Sequence, residues 1–388
     1  MKKICILTAT RAEYGLLKQI ILKLRNVSEF DVRVVVTGTH LSPEFGLTYR
    51  EILKDGILID EKIEILLSSD TPTAISKAMG LAMIGFAEYF ARIDPDMLLV
   101  LGDRYETLAV CCAAMNQRIP ITHLYGGDTT EGSMDESIRH AITKLSYLHF
   151  TNTESSRNRV IQLGEEPNRV FSVGEIGIEN VSKEKLMSKT ELETAISFKL
   201  DKPYAMITFH PATLENADSA KQFQNLLDAC EKYKNMKFVF TKANADTNGR
   251  VINQLLEQYA NQHDNAIAFD SLGMTRYLSA IKYCEMVIGN SSSGLVEAPC
   301  FGVPTINIGD RQKGRLQGDN VINCKPLVNE IEGAIALALT EEFKRKARDT
   351  SNPYGDGNTS DKIINKLKEF LLEGKIDLKK KFFDCEVI

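Results

Sequence analysis

The chain has 388 residues, more than one hydrophobic core usually supports, so two domains are expected. It is 43% hydrophobic and 26% charged, with no Trp and a net charge of −5, the balance of an ordinary globular protein. That charge, without any basic stripe interleaved with aromatics, excludes nucleic acid as the expected partner, while a small anion held by a few Arg stays compatible.

The N-terminus enters a strand at once, without the apolar core and cleavage site of a signal peptide. The longest uncharged apolar run, around Met79 to Ala87, is too short to span a bilayer. None of the 8 Cys stands in a C-x-x-C, and most sit in apolar segments as reduced core Cys do. The expectation is a cytoplasmic protein with no membrane segment, disulfide or zinc.

Short β-branched runs then alternate with amphipathic helical stretches. Strands are expected at Ile4–Leu7, Val32–Val36, Met97–Leu101, Ile119–Leu124, His149–Thr151 and Val170–Val173. A second series is expected at Ala205–Phe209, Lys237–Thr241, Ala266–Phe269, Met286–Ile288 and Thr305–Ile308. Near-continuous apolar strands separated by helices mean parallel sheets covered on both faces, so the fold class is α/β with two doubly wound, Rossmann-like domains. The boundary falls near Gly174-Glu-Ile-Gly177, giving domains 1–176 and 177–359, with 360–388 a helix returning to the first domain plus a loosely held tail.

Several strand ends carry chemistry. The first runs into Thr8-Ala-Thr-Arg11-Ala-Glu13, which puts an Arg at a strand-to-helix turn, a place that suits a phosphate. Neither G-x-G-x-x-G nor G-x-x-x-x-G-K-[ST] occurs, so dinucleotide and P-loop sites are not expected. Gly102-Asp103-Arg104 repeats the theme, although an Asp there also reads as a helix cap. His123-Leu-Tyr-Gly-Gly-Asp128 followed by Asp135-Glu-Ser-Ile-Arg139-His140 gives a Gly-Gly turn feeding an acidic helix start. Asp135/Arg139 and Glu136/His140 are i,i+4 pairs there, which alone would read as surface ion pairs. In the second half His210 ends a strand, Lys242-Ala-Asn244 ends the next, and Gly289-Asn-Ser-Ser-Ser-Gly294 opens a helix with hydroxyls and amides suited to a diphosphate. Glu297 stands one turn into that helix, placed for a ribose diol, and Arg311 begins a basic loop. The His and carboxylates lack zinc-type spacing, and neither metal nor cofactor is expected.

Together T-x-x-R-A-E-Y-G at 8–15, V-T-G-T-H-L at 36–41, G-D-R-Y-E at 102–106, H-x-x-G-G at 123–127, D-E-S-I-R-H-A-I-T-K-L at 135–145 and G-N-S-S-S-G-x-x-E at 289–297 resemble the hydrolysing branch of the UDP-N-acetylglucosamine 2-epimerase family. The resemblance covers nearly the whole chain. It implies a GT-B-like fold with an interdomain cleft, a nucleotide-sugar ligand and a homodimer or homotetramer. It also implies conversion of UDP-N-acetylglucosamine and water to N-acetylmannosamine and UDP, for sialic acid synthesis. Carried over by position, Asp103, Asp128, Asp135, Arg139 and His210 are the catalytic candidates. Arg11, Gly15, Arg104, His210, Asn244, Ser271, Leu272, Ser291, Ser292, Gly294, Glu297 and Arg311 are the substrate-binding candidates. Two departures stand out: Tyr125 occupies a position that carries an acid or His in relatives, and Asp128 stands where Glu is common. The same chemistry on a UDP-2,4-diacetamido-2,4,6-trideoxyhexose is the alternative, towards which Thr129-Thr-Glu-Gly132 leans. A GT-B glycosyltransferase and a non-catalytic nucleotide-sugar sensor are the other readings; the carboxylates around Arg139 count against both.

Overall fold

Apolar runs bounded by turn residues become the strands of two parallel sheets. The computed structural model describes residues 1–69, 71–130, 133–211, 219–243, 249–355, 357–374 and 376–385. The first sheet contains β1 (Lys2–Thr8), β2 (Phe30–Thr37), β3 (Glu61–Ile63), β4 (Met97–Leu101), β5 (Ile121–Leu124), β6 (Leu148–Thr151) and β7 (Val170–Ser172), in the order β3-β2-β1-β4-β5-β6-β7. The second contains β8 (Tyr204–Thr208), β9 (Lys237–Thr241), β10 (Ala266–Phe269), β11 (Met286–Gly289), β12 (Thr305–Ile308) and β13 (Val321–Cys324), in the order β10-β9-β8-β11-β12-β13. All pairings are parallel, as strands buried on both faces require. These are the two doubly wound sheets of the expected GT-B-like class.

Both β3 and β13 are edge strands that the pattern does not announce. Glu61-Lys-Ile63 is short, charged and incompletely buried, pairing with Val35–Thr37 of β2 alone. Charged, short edges discourage pairing with other chains.

The chain divides into two compact units. One comprises Met1–Asp128, Asp135–Asn180 and Gly355–Ile388; the other comprises Thr129–Met134 and Val181–Tyr354. In the first sheet the strand order reverses between β1 and β4, and in the second between β8 and β11. The carboxyl edge at such a reversal is where open α/β sheets bind ligands. The turns after β1 and β4, and after β8 and β11, are therefore the places to look.

In the first unit the helix Thr359–Lys368 buries Ile363, Ile364 and Leu367 in one cluster with Leu17, Ile20 and Leu24 of the helix Arg11–Arg25. Burying each such side chain contributes roughly 1.5–3 kcal/mol. Glu179 holds the start of that helix, accepting from Ser360 N at 2.7 Å and Ser360 Oγ at 2.6 Å. Among the described residues, no helix is long and apolar enough to cross a membrane.

The tail corrects an expectation. Over its described residues 376–385 it is tied to the first unit through Lys380 and Phe383. Lys380 Nζ donates to the carbonyls of Lys144 at 2.9 Å and Ser146 at 2.6 Å, and to both Glu165 carboxylate oxygens at 3.0 and 2.8 Å. Phe383 N donates to Gly164 O at 3.0 Å. Lys379-Lys-Lys-Phe-Phe383 reads as a loosely held terminus because the acidic partner of Lys380 lies 215 positions away. Glu165 is fully buried and also receives Lys144 Nζ at 2.6 Å and His149 Nε2 at 3.1 Å. Burial alone would raise its pKa, but the bonds from His149, Lys144 and Lys380 outweigh it and hold the group at about 2.

Lys380→Met is expected to cost about 1–3 kcal/mol at neutral pH. Removing one partner of a buried pair costs roughly 3–5 kcal/mol, reduced here because Lys380 is 22% exposed and Lys144 and His149 remain. A depressed carboxylate stabilises above its ordinary pKa and loses that contribution as pH falls toward about 2, so the difference from wild type narrows in acid. Urea unfolding at two pH values measures both; an unchanged midpoint at neutral pH refutes the docking.

Candidate active site

At the end of β1, Thr10 and Glu13 form a reciprocal capping box. Thr10 Oγ1 accepts from Glu13 N at 3.3 Å, while Glu13 Oε2 accepts from Ala9 N at 2.7 Å and Thr10 N at 3.1 Å. The box fixes Arg11 as the first helical residue, at the carboxyl edge of β1. Gly15 lies one turn on, its carbonyl accepting from Asn180 Nδ2 at 2.8 Å and open space beside its Cα.

Beyond β4 the chain turns through Gly102 at φ +82° into Asp103 and Arg104. The cap of the next helix, Tyr105–Asn116, is Arg104, so Asp103 is not the capping residue it resembled. Its carboxylate meets the Arg139 guanidinium instead. Arg139 is 1% exposed and also donates to Glu136 Oε2 at 3.1 Å and to the Asp128 carbonyl at 2.9 Å. Burial works against its charge, and Asp103, Asp128 and Glu136 more than compensate. Asp135 is half-buried and opens the helix Asp135–Leu145, one turn before Arg139 and on the same side. His140 Nε2 lies 3.1 Å from Glu136 Oε1, as the i,i+4 spacing suggested.

His123 on β5 supports this arrangement from beneath. Its Nε2 donates to Gly102 O at 2.8 Å, and its Nδ1 faces Thr143 Oγ1 at 3.3 Å. Complete burial pulls its pKa down to about 3, so the ring is neutral and fixes the β4 turn against the helix that carries Arg139.

Asp128 sits differently from Asp103. Its Oδ1 accepts from Ser156 Oγ at 2.8 Å and its Oδ2 from Asn152 Nδ2 at 3.0 Å. The preceding Gly127 has φ +81°, and a Cβ there would lie 2.1 Å from Ser156 O, so only Gly fits this close approach. Tyr125, also left-handed at φ +70°, bonds through its hydroxyl to Glu175 and accepts from Ile176 N at 3.0 Å. Asn152 Nδ2 also reaches Glu175 Oε2, at 3.3 Å. Asn152, Ser156 and Glu175 were absent from the sequence candidates. The one available signal was position: Asn152 directly follows β6, and Glu175 precedes the helix Ile176–Lys183.

In the second unit Asn290 is the organising residue. Its Oδ1 accepts from His210 N at 2.7 Å and its Nδ2 donates to His210 O at 2.8 Å. The Asn290 carbonyl accepts from Arg311 Nη1 at 3.1 Å and Gln312 Nε2 at 2.9 Å. His210 and Arg311 are thus brought together from turns 101 positions apart, by a residue inside the G-N-S-S-S-G motif that had drawn no role of its own. Gly289, at φ +135°, allows the crossing: a Cβ there would lie 1.9 Å from Thr208 O. Ser291 and Ser292 follow, half-buried, with Ser291 Oγ accepting from Ser293 N at 3.4 Å. Gly294 lies close against Thr305 of β12. Glu297 is one turn on, its pKa raised by burial. Ser271 and Leu272 stand beyond the end of β10, two strands from β8, and are not part of the Asn290 group. Asn244 lies outside the described residues.

The first edge thus offers carboxylates held by a buried guanidinium, able to move protons, and the second offers cationic and amide groups suited to an anion. The family model for UDP-N-acetylglucosamine 2-epimerase matches residues 22–368. The chain is 44% identical over 345 residues to the GDP/UDP-N,N'-diacetylbacillosamine 2-epimerase (hydrolyzing) of Campylobacter jejuni, covering 89% of each chain. It is 35% identical over 377 residues to the UDP-N,N'-diacetylbacillosamine 2-epimerase (hydrolyzing) of Legionella pneumophila, covering 97% of this chain and 98% of that one. The crystal structure of UDP-GlcNAc 2-epimerase from Neisseria meningitidis bound to UDP-GlcNAc superposes with a TM-score of 0.78 at 21% identity, over 95% of this chain and 100% of that one. At that identity the likeness speaks for the fold.

Proposed function

Because the chain belongs to the UDP-N-acetylglucosamine 2-epimerase family, in its hydrolysing branch, we propose that it converts a UDP-2-acetamido sugar and water to the free 2-epimer and UDP. The C2 proton passes to a carboxylate as the C1–O bond breaks, and UDP leaves with the bonding pair. Water then adds at C1 of the glycal-like intermediate, while C2 regains a proton on the opposite face. The observation that supports this best is Asp103 held on the buried Arg139, with Asp135 one turn before that Arg. Asp103 and Asp135 are the acid/base pair in this reading. Asp128, with both oxygens engaged by Ser156 and Asn152, keeps the Gly-Gly turn in place.

Arg11, Arg104, His210, Ser291, Ser292 and Arg311 stabilise the departing diphosphate, and Glu297 binds the ribose. Removing one such contact typically costs about 2.7–4 kcal/mol of barrier.

The sugar is better read as UDP-2,4-diacetamido-2,4,6-trideoxyhexose than as UDP-N-acetylglucosamine. Both relatives described above are named for a diacetylbacillosamine nucleotide. Incubation of each UDP-sugar in heavy water, followed by proton NMR, tests this. The diacetamido sugar is expected to give a free 2-epimer carrying deuterium at C2. Turnover of UDP-N-acetylglucosamine alone would overturn the sugar assignment. Transfer seen only with an added acceptor, or no reaction with either sugar, would overturn the hydrolysing reading.

A further inference from the structure

The turn that follows β11 has a support that the proposed chemistry does not use. Tyr277 stands on the helix Gly273–Tyr283, its ring packed on the apolar cluster that contains Leu272, Ala280 and Ile281. A Phe would serve that packing equally well. The hydroxyl does something else: it donates to Ser293 Oγ at 2.8 Å. Ser293 is the third Ser of G-N-S-S-S-G and the first residue of the short helix Ser293–Val296. The cap of that helix is Ser292, so the Ser293 hydroxyl is not needed for capping.

A serine hydroxyl has one proton to give and two lone pairs with which to accept. With the phenol donating to one lone pair, the Ser293 proton is left for an acceptor. Glu297 lies one turn on, its backbone N–H bonded to Ser293 O at 2.9 Å, so the two side chains share one side of the helix. The Ser293 hydroxyl hydrogen-bonds the Glu297 carboxyl and opposes the rise in pKa that burial causes. The phenol also hydrogen-bonds Thr208, the last residue of β8, whose Oγ1 is 2.5 Å from Thr241 Oγ1 at the end of β9. A line of hydroxyls thus runs from two strand ends to the carboxylate, and hydroxyls bonded in series polarise one another.

We propose that Tyr277 positions Glu297 through Ser293: the phenol fixes the Ser293 hydroxyl as a donor to one oxygen of Glu297 and leaves the other oxygen for the ribose diol of the nucleotide. Tyr277 and Ser293 are then positioning residues for ribose recognition. This rests on the reading of Glu297 as the ribose contact. A carboxylate free to rotate meets the two ribose hydroxyls in many orientations, whereas one held on Ser293 meets them in one. The second edge thereby tells a ribonucleotide from a nucleotide that lacks the diol.

The test uses the full-length protein. Affinities for UDP and for 2′,3′-dideoxy-UDP are measured by calorimetry on wild type, Tyr277→Phe, Ser293→Ala and Glu297→Gln. Wild type is expected to bind UDP the more tightly, and Glu297→Gln to lose that preference. Tyr277→Phe is expected to weaken UDP roughly tenfold, the size of a hydrogen bond to a charged group, while the dideoxy nucleotide stays within about twofold. Ser293→Ala is expected to do the same. The double variant is expected to be no worse than Ser293→Ala alone, because Tyr277 acts through Ser293.

The ratio of the two affinities separates positioning from damage. Ser291 and Ser292 lie in the same turn, so a change that merely loosened it would weaken both nucleotides alike. Equal weakening of both by Tyr277→Phe, or a wild-type ratio in that variant, would overturn the positioning role and leave the ribose reading of Glu297 standing. A double variant clearly weaker than Ser293→Ala would overturn the route through Ser293. If Tyr277→Phe does not fold, the Ser293→Ala ratio decides in its place. No preference for UDP in wild type, or a wild-type ratio in Glu297→Gln, would overturn the ribose reading of Glu297 and the proposal with it.

Discussion

Asp103→Asn is expected to lower turnover by about 10²–10⁴-fold, the range that general acid–base groups supply, with UDP affinity unchanged. The substitution keeps size and keeps an acceptor for Arg139, so the local structure survives. What it removes is the ability to take and return a proton. Asp103 suits that work because its side chain is 24% exposed while resting on a guanidinium that is 1% exposed. One side is anchored and the other is reachable. Asp135→Asn is expected to behave alike, since Asp135 opens the helix that carries Arg139. Single-turnover rates and UDP calorimetry on both variants separate chemistry from binding. Normal turnover in both would end the acid/base assignment.

Arg139→Met is expected to destabilise the protein by roughly 3–5 kcal/mol, the cost of leaving a buried charge network without its cation. Asp103, Glu136 and the Asp128 carbonyl would each lose the bond that Arg139 donates to them. Arg139→Lys restores the charge but not the planar fork that reaches three acceptors, so it is expected to recover only part of the loss. Denaturant unfolding measures this. The Arg139→Met/Asp103→Asn double variant should cost less than the two single changes added together, because the two residues share one interaction. Strict additivity would mean that they do not.

Much of the scaffold was readable because buried parallel strands write themselves as apolar runs. Met97–Leu101 is one such run and is buried at every position. Glu61–Ile63 and Val321–Cys324 escaped because an edge strand buries too little to need an apolar signature. At the candidate site, the residues that lie at strand ends were visible, while their partners were not. Arg139 looked like a member of an i,i+4 surface pair, yet it engages Asp103 from 36 positions away. Asp128 accepts from Ser156 and Asn152, 28 and 24 positions on, partners that no local spacing announces. Local spacing reveals helical neighbours, whereas contacts made across a sheet depend on strand order, which no local window contains.

The double hydrogen bond between Asn290 and the backbone of His210 has a consequence for enzymology at the second edge. A side-chain amide there imitates a neighbouring strand, satisfying both the N–H and the C=O of the residue it faces. The path of the main chain through position 210 is secured by Asn290 and does not depend on the imidazole alone. Exchanging the ring for another side chain therefore interrogates its chemistry with the loop still in register, whereas altering Asn290 would confound the two.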